Sequence, residues 1–179
     1  MSTVHRYLPS YTVKDYLLWE GEWELWDGIA VAMTPSPFGP HSQVVALLIT
    51  SLQLAIEEAG CPATVLTELD WIVSNTIVLR PDIVVVCGPR PDKHLREVPA
   101  VVVEVLSPST YDRDQNEKRE LYAQQQVEHY LFVDPEGPKI TACHLASAGR
   151  YITSEVTGAI RLDICRDCHL DVDLKRLSR

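Results

Sequence analysis

Two acidic residues placed in apolar strands are the most informative feature of this sequence. Asp82 opens the apolar run 83–86, and Glu104 lies inside the apolar run 101–106. A carboxylate removed from water is costly unless a cation or hydrogen-bond donors compensate its charge. Two such acids on candidate neighbouring strands predict a shared Mg²⁺ or Mn²⁺ ion, which prefers oxygen ligands. Such an ion activates water and neutralises phosphate charge, so the pair predicts a metal-dependent hydrolytic site.

Lys118 is the third candidate residue of this site. It lies in a predicted helix, 112–126, on the same face as Leu121 and Tyr122, its i+3 and i+4 neighbours. Because Leu121 should pack on the sheet, Lys118 should start on that side and reach the carboxylates. There it could orient the attacking water or stabilise the transition state. Tyr122 is expected mainly to pack.

Each of these residues also has a plainer interpretation. Asp82 could be a strand-entry acid bonded to a turn, and Glu104 could belong to a buried ion pair without metal. Lys118 could extend along the surface to solvent, as lysines on helices often do. Glu68 and Asp70, on the preceding predicted strand, could face the site, but no pattern selects them.

The elements that must position these residues predict an α/β fold with a mixed sheet flanked by helices. A hairpin is indicated by Asp27-Gly28 within 23–33, and a helix over 41–59 ends at Gly60. Apolar runs without strict alternation indicate strands that are covered on both faces. The remaining predicted elements are a helix at 11–18, strands at 64–73, 79–87, 98–106, 130–133, 140–145 and 151–155, and a strand with a terminal helix within 160–177.

Length and composition are those of one globular domain, predicted to span 1–179. The chain has 179 residues, of which 46% are hydrophobic and 23% charged, enough for a core. The net charge of −9 argues against non-specific nucleic-acid binding through a global positive field. This net charge does not exclude a nuclease, because an acidic site recruits metal ions and a local basic patch can bind phosphate.

Neither export nor membrane insertion is expected. The first 20 residues contain Arg6, Lys14 and Asp15 and have no apolar core of a signal peptide. Residues 28–56 lack charged side chains, but prolines interrupt them, and the helical part at 42–56 is too short to span a bilayer comfortably. We expect a cytoplasmic protein that does not contact membranes.

The five cysteines are expected to be reduced thiols, because their number is odd and no signal peptide is recognised. Cys165-Arg166-Asp167-Cys168-His169 matches the haem c attachment pattern, but haem attachment needs export and an axial partner. A zinc site would need more ligands than this one cysteine pair supplies. A strand-and-turn segment is the favoured interpretation.

Several segments together resemble the Uma-two family of restriction-endonuclease-like proteins, within the PD-(D/E)XK nuclease superfamily. They run in family order over about residues 10 to 175. The matching pieces are Glu24-Leu25-Trp26-Asp27-Gly28, the proline loop with His41, Arg80-Pro81-Asp82, Glu104-Val105-Leu106-Ser107-Pro108-Ser109-Thr110, residues 114–118, Tyr122, and Tyr130-Leu131-Phe132-Val133-Asp134-Pro135.

This resemblance implies a nuclease fold with a metal held by Asp82, Glu104 and the backbone carbonyl of Val105. The lysine that the superfamily keeps two residues after the glutamate is replaced by Leu106, and Lys118 is expected to fill its place. Glu24 and His41 match the family's N-terminal acid and histidine. Glu24 could be a further ligand or base, or an exposed hairpin acid. His41 could contact phosphate or relay a proton, or be an ordinary helix-start residue.

The function predicted from these residues is a metal-dependent endonuclease that hydrolyses phosphodiester bonds, with DNA the expected substrate. The superfamily adds the expectation of a homodimer, in which two sites can cut two strands. The alternative is a non-catalytic binding or dimerisation module that keeps the nuclease fold.

Overall fold

The computed structural model of the protein describes residues 9–33, 39–107, 114–137 and 139–178. Its helical elements are α1 Val13–Tyr16, α2 Gly39–Ala59, a π-helical turn Asp114–Lys118, α3 Arg119–Gln124 and a 3₁₀ turn Lys175–Ser178. Its strands are β1 Trp23–Trp26, β2 Ile29–Ala32, β3 Ala63–Thr67, β4 Trp71–Ser74, β5 Ile77–Leu79, β6 Ile83–Cys87, β7 Val101–Val105, β8 His129–Asp134, β9 Lys139–Leu145, β10 Tyr151–Val156, β11 Ala159–Ile164 and β12 Cys168–Asp173. Residues 34–38 of the proline loop, residues 108–110 of the predicted family segment and residues 112–113 of the predicted helix lie outside these ranges.

A mixed six-stranded sheet forms the centre of the fold and confirms the predicted fold class. Its strand order is β10-β9-β8-β7-β6-β3, and β7 pairs with β8 in parallel. Parallel neighbours need a crossover, and the chain between them carries the π-helical turn and α3. The crossover therefore brings Lys118 across one face of the sheet.

Side chains alternate between the two faces of this sheet. Val101, Val103 and Val105 of β7 pack in the core beneath α2, whereas Val102 packs in the opposite core with Tyr122 of α3. Glu104 follows the alternation to the α3 face. The strand is apolar on both sides because both sides are covered.

Two predicted strands are each divided in the structure. The predicted strand 64–73 is β3 and β4, which are separated at Glu68, a residue with a φ of 48°. The predicted strand 79–87 is mainly β6, and only its first residue, Leu79, belongs to β5. Pro81, whose nitrogen cannot donate to a sheet, lies between the two strands. After β3 the chain leaves the central sheet, forms β4 and β5 of a second sheet ordered β2-β1-β5-β4, and returns as β6. This second sheet carries Glu24 on β1.

The predicted hairpin of β1 and β2 is confirmed. Asp27 and Gly28 have φ angles of 47° and 81°, as a two-residue hairpin turn requires. A Cβ atom on Gly28 would clash with the side chain of Ser10. This turn sets the register that places Glu24 opposite Val31.

Helix α2 begins two residues earlier than predicted and has 21 residues. The prediction that its helical part is too short to span a bilayer is therefore wrong, since α2 is long and apolar enough by length and composition alone. Its buried residues pack against the central sheet and the last hairpin, as in a core helix. They are Val44, Leu48, Ser51, Leu52, Ala55 and Ile56.

The last part of the chain is a β-hairpin, where a strand and a terminal helix were predicted. Strands β11 and β12 pair in antiparallel register, and only a 3₁₀ turn follows them. The alternation Leu162, Ile164, Leu170, Val172 of buried residues continues through both strands. The predicted strand-and-turn character of 165–168 is confirmed.

The expectation of reduced cysteines is wrong for this structure. Cys61 is bonded to Cys168, and Cys87 is bonded to Cys165. The bonds join the turn of the last hairpin to the start of β3 and the end of β6, which the sequence alone could not bring together. Cys143 is buried and has a free thiol.

The buried His129, at the start of β8, should make the stability of the folded protein depend on pH. Burial lowers its pKa below that of an exposed histidine, so between the two pKa values the unfolded chain binds more protons than the folded protein. Stability is therefore full above the ordinary histidine pKa of about 6.5 and falls as the pH falls toward the lowered value. We expect this fall in urea unfolding measured at several pH values, and a smaller fall in His129→Gln.

Glutamine is a suitable replacement because Nε2 of His129 donates to the carbonyl of Asp163 at 2.8 Å, and a side-chain amide can do the same. His169→Gln, at an exposed histidine on β12 whose Nδ1 lies 2.6 Å from Asp163 Oδ1, removes only a surface ion pair and should change the pH dependence less. An equal pH dependence in wild-type protein and His129→Gln would contradict this assignment.

Candidate active site

Asp82 and Glu104 lie at the same end of the neighbouring strands β6 and β7. The observed register pairs Ile83 with Val103 and Val84 with Val102, so Asp82, which directly precedes β6, lies beside the part of β7 that carries Glu104. The backbone N–H of Val105 donates to Asp82 Oδ2 at 2.7 Å, which ties the Asp82 side chain to the end of β7.

Lys118 reaches this pair from the crossover. Its Nζ lies 2.7 Å from Oε1 of Glu104 and 3.3 Å from Oε1 of Glu24. Only 2% of Lys118 is exposed, so the alternative of a lysine that extends to solvent is wrong. The face shared with Leu121 and Tyr122 correctly predicts that Lys118 turns toward the sheet.

Tyr122 binds the same oxygen of Glu104. Its hydroxyl donates to Oε1 at 2.6 Å, while its ring stacks on Trp71. Burial, with the adjacent Glu104 carboxylate, holds the pKa of Tyr122 well above its usual value, so the hydroxyl keeps its proton and remains a donor. Packing was the expected role, and the structure adds this hydrogen bond.

Glu24 is fully buried in this cluster, so the alternative of an exposed hairpin acid is wrong. Its Oε1 accepts the backbone N–H of Arg80 at 2.8 Å and lies near Lys118. Its Oε2 is buried and has no hydrogen-bond partner among the described residues. A buried carboxylate oxygen without a donor is costly, which makes it a candidate for binding a cation or water.

The cluster carries more negative than positive charge. Asp82, Glu24 and Glu104 are three carboxylates, and Lys118 is the cation that the structure places between two of them. Counted as ionised, the four side chains leave a formal excess of two negative charges. That excess matches a divalent cation in charge, and the oxygen-rich donor set suits Mg²⁺ or Mn²⁺.

His41 lies near the start of α2, beside Asp82. Its Nε2 is 3.5 Å from Asp82 Oδ2, and its side chain is 14% exposed. Both residues line an open cleft of about 330 Å³ that also includes Ser42, Glu68 and Arg80. Because Asp82 is 23% exposed and Glu104 and Lys118 are buried, a substrate would meet Asp82 and His41 first.

A network behind the cleft fixes Arg80, and sequence reasoning missed it. The Nε of Arg80 donates to Asp70 Oδ1 at 2.7 Å, and the hydroxyl of Tyr16 donates to the same oxygen at 2.9 Å. Burial and the Asp70 charge raise the pKa of Tyr16. The network holds the Arg80 backbone that donates to Glu24. Asp70, which no pattern selected, is therefore a support of the site.

Val105 and Leu106 complete the description of β7. The Val105 N–H contacts Asp82, and the metal-binding role of its carbonyl stays a prediction. Leu106 is 3% exposed and packs in the interior. The expectation that Lys118 fills the place of the superfamily's lysine stays a prediction.

A second group of potential metal ligands is not part of this cluster. Glu128, His129 and His144 place their ligand atoms within 4.8 Å of one another. His129 pairs with Val101, at the opposite end of β7 from Glu104, which pairs with Phe132. Sequence reasoning missed this group, because its members meet only through the β8–β9 register.

Comparisons with known proteins identify a family and a shared fold. The sequence model of the Uma2 family, described as "Putative restriction endonuclease", matches residues 13–173. The uncharacterized protein slr1290 of Synechocystis sp. is 29% identical over 163 residues, which are 87% of this chain and 85% of that protein. A crystal structure from Anabaena variabilis, described as a putative nuclease belonging to DUF820, has a TM-score of 0.71 at 16% identity. That match covers 93% of this chain and 96% of the other, and it shows that the two share a fold.

Proposed function

The chain belongs to the Uma2 family of putative restriction endonucleases, and from this premise we propose that it is a metal-dependent endonuclease. The family and the fold support a nuclease function in general terms. The proposal adds the metal, the phosphodiester bond of nucleic acid and the residues that act on it. DNA is the proposed substrate, and a cytoplasmic homodimer is the proposed form.

One observation carries the proposal. The ammonium group of Lys118 contacts Glu104 of β7 and Glu24 of β1, and Asp82 lies at the same end of β6, the strand next to β7. A lysine among acids at one end of a sheet is the set of side chains that a metal-dependent nuclease needs, and here the lysine comes from the crossover.

Asp82 and Glu104 would hold the ion, with the Val105 carbonyl as the third proposed ligand and Glu24 nearby. The uncompensated Oε2 of Glu24 and the excess negative charge fit a divalent cation. When bound, such an ion lowers the pKa of water and neutralises charge on the scissile phosphate.

The protein's own side chains would position the reaction. Lys118 and Tyr122 both donate to Oε1 of Glu104, which fixes the direction of that carboxylate. The Lys118 ammonium is also a positive charge near the place where the phosphate would gain negative charge. His41, which lies beside Asp82 at the mouth of the cleft, would donate to a phosphate oxygen or relay a proton.

A non-catalytic module remains the second candidate, because Lys118 already neutralises Glu104 without metal. A cleavage assay separates the nuclease from the non-catalytic module. The folded protein is incubated with supercoiled DNA and with single-stranded RNA, each in the presence of Mg²⁺, Mn²⁺ or excess chelator. The nuclease proposal predicts metal-dependent cutting of DNA that the chelator stops. Folded protein that cuts neither polymer with either metal would favour the binding module.

A further inference from the structure

Two histidines lie side by side on the central sheet, on strands β8 and β9. The register pairs His129 directly with His144, and directly opposed residues of an antiparallel pair project from the same face. Their ring centroids are 5.1 Å apart, with an angle of 37° between the ring planes. Glu128 immediately precedes β8, and its Oε1 lies 4.0 Å from Nε2 of His129. The three side chains thus bring ligand atoms within 4.8 Å of one another.

The buried His129 is held in one orientation. Its side chain is 9% exposed, and its Nε2 donates to the backbone carbonyl of Asp163 on β11 at 2.8 Å. A neutral imidazole that donates through one nitrogen keeps a lone pair on the other, which is Nδ1 here. Metal-binding histidines have this arrangement, because a carbonyl that accepts the N–H fixes both the ring and its tautomer. His129 is therefore already oriented as a ligand.

The other two side chains are exposed and can move toward an ion. Tetrahedral zinc with nitrogen and oxygen ligands at about 2.1 Å places two ligand atoms about 3.4 Å apart. Rotation of Glu128 and His144 can bring their ligand atoms to this separation while His129 stays in place. The two histidines also line an open cleft of about 600 Å³ that β10 and β11 help to form. An ion can therefore enter from solvent and keep water at its fourth position.

We propose that Glu128, His129 and His144 bind one Zn²⁺ ion at a site separate from the candidate active site. Two imidazoles and one carboxylate suit Zn²⁺, whereas Mg²⁺ prefers a set of oxygen ligands. The ionised carboxylate offsets one of the two charges of the ion. The protein would then have two metal sites of different selectivity, one made of carboxylates and one made mainly of imidazoles.

The zinc site is too far from Glu104 to supply a second metal ion to the proposed nuclease reaction. Glu104 pairs with Phe132, three residues after His129 on β8, and a strand rises about 3.3 Å per residue. The two places are therefore about 10 Å apart along the strand. They also lie on opposite faces of the sheet, because His129 shares its face with Leu131, which packs in the core beneath α2. Two-metal sites hold their ions about 3.5–4 Å apart.

The ion would stabilise the contact between the central sheet and the last hairpin. It would bind His129 and His144 of the central sheet, and His129 in turn donates to Asp163 of the hairpin. A ligand that binds the folded protein and not the unfolded chain shifts the equilibrium toward the folded protein. Zn²⁺ should therefore raise the melting temperature of the metal-free protein.

The test uses the full chain with its disulfides intact, after a chelator has removed bound metal. Titration with Zn²⁺ in excess Mg²⁺, which competes for sites made of carboxylates, should give about one Zn²⁺ ion per chain. Cu²⁺ in place of Zn²⁺ should give an electron paramagnetic resonance spectrum with hyperfine coupling to imidazole nitrogens. Asp82→Asn should bind zinc as the wild-type protein does, since Asp82 is not part of this site.

Variants at exposed residues identify the ligands. His144→Gln should weaken zinc binding by at least about 100-fold, because residues that only orient ligands already change affinity by about 10- to 100-fold. Glu128→Gln should weaken it as well. The matched control His169→Gln, at an exposed histidine of β12 outside this group, should bind zinc as tightly as the wild-type protein.

Two results would overturn the proposal. One is equal zinc affinity in His144→Gln and His169→Gln, and the other is a copper spectrum without coupling to nitrogen. These readouts do not involve nucleic acid, so failure of the zinc site and failure of the nuclease proposal are distinguishable.

Discussion

Replacing Glu104 with glutamine should reduce DNA cleavage by at least about 100-fold while the protein stays folded. Glutamine keeps the shape and can still accept hydrogen bonds from Lys118 and Tyr122, but it removes the charge that would hold the metal. Residues that only orient metal ligands already affect activity by about 10- to 100-fold, so a direct ligand should exceed that range. The measurement is the initial rate of supercoiled plasmid cleavage in Mg²⁺.

Glu117→Gln is the matched control for this prediction. Glu117 is exposed and lies in the same π-helical turn as Lys118, so its replacement makes the same change in charge outside the cluster. Asp82→Asn should reduce cleavage like Glu104→Gln. If Glu104→Gln cuts DNA as fast as Glu117→Gln does, Glu104 is not a metal ligand of the reaction.

Replacing Lys118 with methionine should lower the free energy of unfolding by about 3–5 kcal/mol. Methionine keeps most of the aliphatic length, but it leaves the buried carboxylates of Glu104 and Glu24 without their cation. With 2% of Lys118 and none of Glu24 exposed, water cannot replace the lost charge. Urea unfolding in the absence of divalent metal measures the effect.

A second substitution tests the reason for this loss. The double variant with Glu104→Gln removes one of the uncompensated charges, so it should recover part of the stability lost in Lys118→Met. Lys14→Met, at an exposed lysine of α1, is the control and should have little effect. A Lys118→Met variant that loses no more stability than this control would show that the buried ion pair is not needed for folding.

The main geometry of the site could be predicted because it depends on local patterns. Acids in apolar strands predict burial against a cation, and the helical spacing of Lys118 to Leu121 and Tyr122 predicts which way the lysine turns. These are properties of single strands and one helix. The pairing of β6 with β7 then brings Asp82 and Glu104 to the same end of the two strands.

The other features of the fold and the site depend on contacts between segments that are distant in sequence. Glu24 is buried only because the second sheet packs over the cluster, and β4 and β5 could join that sheet only by dividing the two predicted strands. Asp70 and Arg80 meet at the open end of the β4–β5 hairpin, and no sequence pattern indicates that contact. The disulfides link residues 107 and 78 positions apart, and neither a composition nor a spacing predicts which cysteines meet.

The central claim is that a divalent ion binds between Asp82 and Glu104. The most direct test is diffraction from crystals soaked in Mn²⁺, measured at a wavelength where manganese scatters anomalously. Crystals of Asp82→Asn are soaked in parallel. We expect an anomalous peak within bonding distance of both carboxylates in the wild-type protein and none there in the variant. A fully soaked wild-type crystal that has no peak at this place, while Lys118 still binds Glu104, would contradict the account.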